Sequence, residues 1–395
     1  MITMENKQRV KTIAVIFIIA IVLISLITEF LYIFNNKYTY SKLQPEKGVL
    51  TLSQEEIDSN SFHFLIKDWE FYEDALLTPT YFKNQTSLPN MKYVSIGDTE
   101  SAYTSQTKNN TFIGTYRMKI NFPEKEGFYA LEMPQVYSAY ELYINDKLYL
   151  KVGDTHNYKA QIQNRCTFFA ASGETYITIA VKDASGIKAG ITSPPTLGKP
   201  YSINITRAFK FLINNFIMTL IFFGALFSLI LAISGKSNYS YMFFFMCLIY
   251  AVYLNHPLIN LCFSMGGNFS YVFEYFCTHF VYLMVIMLQN RLCNLNKNVS
   301  SISEICGSVF CAIAFVYGVF TPYLSAPLCT FLSTLCNVFE WLAAIYLVAI
   351  GTYAVFNDIK YGRIFLFGNV CFAASLLLYI IQPLYDSIYT DQSVE

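Results

Sequence analysis

The chain has 395 residues and no net charge; 54% of it is hydrophobic, 17% aromatic and only 14% charged. Soluble domains carry about a quarter charged residues, so the deficit assigns much of the chain to lipid. Neutrality excludes a basic nucleic-acid surface, so no nucleic-acid partner is expected.

Lys7, Arg9 and Lys11 precede an apolar run from Thr12 to Phe34, whose single charge, Glu29, lies near its far end. A positive flank before a run of that length reads as a signal peptide or as a retained transmembrane anchor. No clear Ala-x-Ala-like cleavage site follows, which favours the anchor for residues 1–35. On either reading the next segment is exported.

Residues 36–206 alternate apolar and polar side chains between turn signals. Phe112 to Phe122, Gly127 to Met133, Glu141 to Tyr149 and Thr175 to Val181 read as strands. Asn145-Asp146 lies between Leu142-Tyr143-Ile144 and Leu148-Tyr149-Leu150, which predicts a hairpin because both residues tolerate positive φ. Many short strands without helical periodicity predict an all-β sandwich or jelly roll.

From Ala208 the pattern changes to long apolar runs. Spans are predicted at about 208–234, 239–261, 269–290, 302–322, 327–356 and 361–384, a helical bundle over 207–384. Isolated Gly, Pro and Asn inside them are tolerated in spanning helices. Of 27 Lys and Arg, five lie after Phe211: Lys236, Arg291, Lys297, Lys360 and Arg363. They occupy the breaks at 235–238, 291–301 and 357–363, which the positive-inside rule places in the cytoplasm, with residues 36–206 outside. Arg207 and Lys210 oppose that rule but belong to a long exported domain. Six spans then return residues 385–395 to the outside as a short tail. Of ten cysteines, Cys166 alone lies in the polar half, so no disulfide framework is expected. The others read as small packing residues.

The polar half resembles one family at separate places. Trp69-Glu70-Phe71-Tyr72, followed by Leu76-Leu77-Thr78-Pro79 and Phe82, is similar to the opening motif of the extracellular domain in bacterial seven-transmembrane receptors with diverse intracellular signalling modules. Gly114-Thr115-Tyr116-Arg117 resembles that domain's central strand. Ser138-Ala139-Tyr140-Glu141-Leu142-Tyr143-Ile144-Asn145, closed by Val152-Gly153, resembles its next hairpin. Ile177 to Val181, Gly190 and Leu197-Gly198 resemble its closing strand and exit. With the helices, the resemblance covers roughly 60–395. It implies a sensor with a galactose-binding-like jelly roll outside, a receptor helix bundle and a cytoplasmic kinase, cyclase or phosphatase module. The departure is at the C-terminus, where six spans follow the β domain and no output module is present. That implies a truncated receptor, a homo-oligomer or a chain working through a membrane partner that carries the module.

No Gly-x-x-x-x-Gly-Lys-Ser/Thr loop, His-Glu-x-x-His helix or Gly-x-Ser-x-Gly elbow occurs. His63, His156, His256 and His279 lack metal-ligand spacing. Neither an enzyme nor a cofactor or metal site is expected. Candidate ligand contacts in the β domain are Trp69, Tyr72, Tyr116, Tyr140 and Tyr143, whose rings suit the C–H faces of sugars. Arg117, Glu141 and Asn145 would add hydrogen bonds. The competing reading makes most of these core packing, and Asn145-Asp146 a plain turn. In the bundle, Glu274, His279, Asn337, Glu340 and Asn369 are polar points at a depth where ionisable groups cost about 2–3 kcal/mol or more. They read either as a coupling network or as interhelical hydrogen bonds. The sequence thus supports a membrane receptor for an extracytoplasmic small molecule, carbohydrate foremost. A transporter or channel using Glu340 and His279, or an accessory structural subunit, are the alternatives.

Overall fold

The computed structural model describes residues 4–35, 43–58, 62–84, 90–96, 112–184, 190–235, 239–263 and 267–391. Lys236, expected in an interior break, lies outside the described residues, as do residues 36–42 and 392–395 of the predicted domains.

Helix α1 (Met4–Asn35) opens the chain. A β region follows: β1 (Val49–Thr51), α2 (Gln54–Asp58), β2 (Phe62–Phe64), β3 (Trp69–Glu73), α3 (Pro79–Asn84), β4 (Met91–Val94), β5 (Phe112–Asn121), β6 (Gly127–Met133), β7 (Ala139–Ile144), β8 (Lys147–Val152), β9 (Arg165–Ala171), β10 (Glu174–Asp183) and β11 (Thr196–Gly198). One sheet runs β4-β3-β5-β10-β7-β8, with β1 pairing parallel to β5 beyond the end of β3. A second sheet runs β2-β11-β6-β9.

Strict alternation explains why the two sheets share one core. On β5, Tyr116, Met118 and Ile120 point inward, while Arg117 and Lys119 between them point out. Trp69, Phe71, Tyr140, Leu142, Ile177 and Ile179 from the large sheet meet Tyr129, Leu131, Phe169 and Leu197 from the small one. The β7–β8 hairpin turns at Asn145-Asp146 as the sequence predicts, with Asn145 at φ 51°. The predicted strand Glu141 to Tyr149 is therefore two strands.

Six helices follow: α4 (Pro200–Ile233), α5 (Ser240–Phe263), α6 (Gly267–Leu292), α7 (Lys297–Phe320), α8 (Ala326–Phe356) and α9 (Gly362–Asp391). Among the described residues five helices are long and apolar enough to cross a membrane: Asn6–Phe30, Pro200–Ile233, Phe269–Leu292, Lys297–Phe320 and Pro327–Phe356. Ser240–Asn255 and Gly362–Leu378 are shorter apolar helices. Consecutive helices from α4 to α7 pack as neighbours, as do α8 and α9.

Two boundaries differ from expectation. Helix α4 begins at Pro200, eight residues before the predicted span, because Pro at the first helical turn needs no N–H partner and sets a helical φ. Helix α9 continues to Asp391 through most of the segment expected as a tail.

Candidate functional site

Strands β3 and β5 and the segment after β3 build a strap across the outer face of the large sheet. Gly114 lets the Phe71 ring lie on the β5 backbone; a Cβ there would sit 2.4 Å from the ring. Thr115, fully buried, donates to the Ala75 carbonyl at 2.7 Å and accepts from the Leu77 amide at 2.9 Å. These bonds hold the Leu76–Pro79 segment against the outer face and lead α3 across it. Phe82 of α3 and Tyr176 of β10 then cover the Arg117 guanidinium, each with its ring centroid 4.3 Å away. Glu70 lies 3.4 Å from Arg117, and Lys83 reaches Asp146 at the hairpin tip at 2.6 Å. The strap formed by α3 is thus tied at three points.

Register places Glu70, Arg117, Thr178, Tyr143 and Leu148 in one row across five strands of the outer face. Glu141 lies in the neighbouring row. It accepts from Tyr143 at 2.6 Å, from Thr155 at 3.3 Å and pairs with Lys151 at 3.0 Å. Burial opposes its ionisation, yet the bonds from Tyr143 and Lys151 hold its carboxyl below the usual range. Burial and the same Glu141 push the Tyr143 hydroxyl up to about 12.

Of the eight residues expected to touch a ligand, Arg117, Glu141 and Tyr143 therefore share the outer face. The others are placed differently. Trp69, Tyr116 and Tyr140 point inward and are at most 5% exposed. Trp69 donates to the Leu65 carbonyl at 2.9 Å, and burial drives the Tyr116 and Tyr140 hydroxyls upward. Their rings are covered by the opposing sheet, so the expectation that they stack on a ligand is corrected: they are core. Tyr72 faces out but is covered by Phe82, with ring centroids 5.1 Å apart, and is likewise removed from an open surface. Asn145 is a clamp. Its side chain accepts from the Tyr176 amide at 2.8 Å and its amide donates to the Tyr176 carbonyl at 2.7 Å, joining hairpin to β10.

The β region and the helices meet at a joint that sequence reasoning missed. Strand β11, bonded to both β2 and β6, leads through Lys199 alone into α4. Ile203 on the first turn of α4 is 1% exposed, and Arg207 reaches Glu132 of β6 at 3.4 Å. Between β6 and β7, the Tyr137 hydroxyl donates to the Glu274 carboxylate of α6 at 2.9 Å. Ser138 next to it accepts from the Gly190 amide at 3.1 Å, which fixes the turn.

Below this joint, Thr278 donates to the Glu274 carbonyl at 3.0 Å and His279 Nδ1 contacts the Tyr275 carbonyl at 2.9 Å. His279 is 1% exposed, and its Nε2 lies 3.9 Å from Glu340 of α8, beyond direct hydrogen-bond length. Asn369 of α9 exchanges two bonds with Gln289 of α6, at 2.7 and 2.8 Å, and donates to the Leu347 carbonyl at 2.6 Å. Asn290 donates to Ser303 of α7 at 2.9 Å and accepts from Tyr346 of α8 at 2.9 Å. Of the five expected intramembrane groups, Glu274 and Asn369 therefore bond across elements, and His279 and Glu340 face each other between α6 and α8. Asn337 does neither: it is exposed on α8 and is corrected to an outward residue. Gln289 and Asn290 were missed, although two adjacent amides in an apolar helix are themselves a signal.

No protein-family model matches the sequence, and no curated protein matches it. Some solved structures are similar over part of the chain. The beta-glucuronidase of Faecalibacterium prausnitzii is 15% identical over 35% of this chain and 31% of its own, at TM-score 0.27. The beta-galacturonidase of Eisenbergiella tayi bound to galacturonate is 11% identical over 35% and 24%, at TM-score 0.25. A beta-galactosidase of Bacteroides fragilis is 20% identical over 35% and 23%, at TM-score 0.25. The chain spans less than a third of each of these structures, and similarity of that depth says nothing about activity.

Proposed function

We propose that this chain is a multi-pass membrane sensory receptor. Its β domain lies outside and binds a small ligand of carbohydrate class, and the joint passes the resulting change to the helices. The observation that carries this reading is the Tyr137–Glu274 hydrogen bond, because it links a turn between two β strands to a helix of membrane-spanning length. The one-residue passage from β11 into α4 supports it, since a shift in the small sheet has no loop in which to dissipate. The partly exposed Tyr176 ring on Arg117 and the Tyr143 ring bonded to Glu141, on the same outer face, supply the aromatic and hydrogen-bonding character that sugars need. The positive-inside distribution of Lys7, Arg9, Lys11, Arg291, Lys297, Lys360 and Arg363 supports the orientation.

The full chain in nanodiscs tests both halves of the reading. A glycan panel titrated by calorimetry should give a binding isotherm at or below millimolar concentration, and bound glycan should change hydrogen exchange in α6. Absence of binding across the panel defeats the carbohydrate class. Binding without any change in α6, equal in wild type and Tyr137→Phe, defeats the coupling.

A second reading rests on His279 and Glu340 facing each other between α6 and α8, an arrangement that suits proton movement. Substrate or proton flux in proteoliposomes that disappears in Glu340→Gln would favour a transporter over a receptor.

A further inference from the structure

The ends of α1 and α9 that carry the cations form a recess in two parts. Helix α1 packs on α9 and the end of α8 through Ile13, Ile16, Phe17 and Ala20 against Val355, Leu366 and Val370. The Arg9 guanidinium donates to the Asp358 carboxylate and to the Phe356 carbonyl, so it holds the first turns of α1 beside the α8–α9 turn. Arg9 thereby neutralises Asp358. Lys11 and Arg363 are exposed at the rim, and among the described residues no carboxylate pairs with either.

The outer part of the recess is a polar hollow of about 440 Å³ with Gln8, Arg9, Thr12, Tyr361, Arg363 and the Arg9-paired Asp358 on its walls. The inner part is a groove of about 540 Å³ that shares Gln8, Thr12 and Arg363 and continues along Val15, Ile16, Ile364 and Phe367. Val15 and Ile364 are exposed, so this groove opens sideways, where the bilayer would stand. A water-soluble anion would satisfy the rim and leave the apolar floor without an occupant. A neutral lipid would cover the floor and leave two cations unmatched. One class of molecule fits both parts.

We propose that this recess is a binding site for an anionic phospholipid, its phosphate between Lys11 and Arg363 and one acyl chain along Val15, Ile16, Ile364 and Phe367. Basic pockets between spanning helices on the cytoplasmic side recognise lipid headgroups in this way. The site makes α1 a working member of the bundle, since Gln8, Lys11, Thr12, Val15 and Ile16 of its walls come from that helix. It rests on the reading of α1 and α9 as spans, and the test separates the two ideas.

Native mass spectrometry of the full chain in detergent, titrated with phosphatidylglycerol or phosphatidylcholine, provides the measurement. Phosphatidylglycerol adducts should form at roughly ten-fold lower concentration than phosphatidylcholine adducts, from two cations near one headgroup. Lys11→Gln/Arg363→Gln should erase that preference, while Lys297→Gln, which removes an exposed cation on α7, should retain it. Ile364→Asn, at a side chain 66% exposed, should weaken both lipids without unfolding the chain. Equal binding of the two lipids, or an unchanged preference in the double variant, would overturn the proposal. So would full displacement of phosphatidylglycerol by free glycerol phosphate, which would reduce the site to its rim. Cysteine accessibility in whole cells reads the span assignment separately, and a wrong topology there would not alter the detergent result.

Discussion

Gly114 has an extended backbone, and its lack of a side chain matters for packing alone. The Phe71 ring that occupies the space is held by Phe112, with centroids 5.9 Å apart, and by Tyr116 at 4.8 Å. With both neighbours in the core, the ring has little room to retreat. Gly114→Ala should therefore destabilise the β domain by about 1–3 kcal/mol, the usual cost of overpacking. Phe71→Leu added to it should recover part of the loss, because the smaller side chain vacates the space. Thermal unfolding of the two variants and the wild type decides this, and an unshifted Gly114→Ala midpoint would refute it. Glu141 gives a prediction in pH. Its carboxyl is held below the ordinary value of 4.5, so the native state favours the ionised form. The associated stability is complete above about pH 4.5 and is lost as pH falls through the lower native value. Glu141→Gln should melt earlier than wild type at pH 7 and lose less on acidification from pH 6 to 3.5. Parallel melting curves for the two proteins over that range would contradict it. Residues such as these show where sequence reading stops. Asn145-Asp146 is legible because a tight turn is local, and its φ requirement is written in the residues themselves. The Arg117 sandwich is not, since Phe82 and Tyr176 reach it from segments 35 and 59 positions away.

Among elements, α1 departs furthest from what its sequence conveys. A basic flank and an apolar run read alike for a cleaved signal and for a permanent helix, because both are selected for insertion and differ only in later processing. We propose that α1 is the permanent helix, on the strength of its packing. Ala20 is fully buried where α1 meets Val355, Leu366 and Val370, and Arg9 closes the other end of the contact on Asp358. Small residues at such contacts let helix backbones approach without a hydrophobic drive. Ala20→Phe should force α1 from α9, while Ile18→Phe, at a position 63% exposed, should be tolerated. Limited proteolysis of the purified chain would show it: accelerated loss of α1 in the first variant and wild-type behaviour in the second. Equal digestion of both would mean that α1 does not depend on this contact. An intact mass that retains Lys7 to Lys11 is the companion expectation. The early start of α4 was illegible for a different reason. Its first two turns carry Ser202, Thr206 and Arg207, which suit a surface strand or loop as well as a helix; Pro200 permits a helix start there, and the burial of Ile203 adds to it.

At the scale of the whole molecule, two modules with different solvents are joined by contacts that periodicity cannot reveal. Alternation identified the β region and long apolar runs identified the helices, since each pattern reports the local environment of one element. Tyr137 and Glu274 are 137 positions apart and each has an ordinary local setting, so only the folded chain brings them together. Their bond is charge-assisted and partly buried, the kind worth about 1.5–3 kcal/mol when it exchanges for water poorly. Glu132 and Arg207 form a second tie at 3.4 Å between the same two modules, and Ile203 a third, apolar one. Three ties of different chemistry predict that the modules unfold together instead of in two steps. A double-mutant cycle on Tyr137→Phe and Glu274→Gln isolates the first tie. Each single variant should lower the unfolding midpoint of the full chain in nanodiscs. The double variant should fall little further, because one bond cannot be lost twice, giving a coupling of about 0.5–3 kcal/mol. The transition of the double variant should also broaden or split as the β strands and the helices lose a shared constraint. Additive single effects, within about 0.5 kcal/mol, would mean that the carboxylate and the phenol stabilise their own modules independently. In that case communication between sheet and helix would have to run into α4, through β11 and Lys199 and through the Glu132–Arg207 pair.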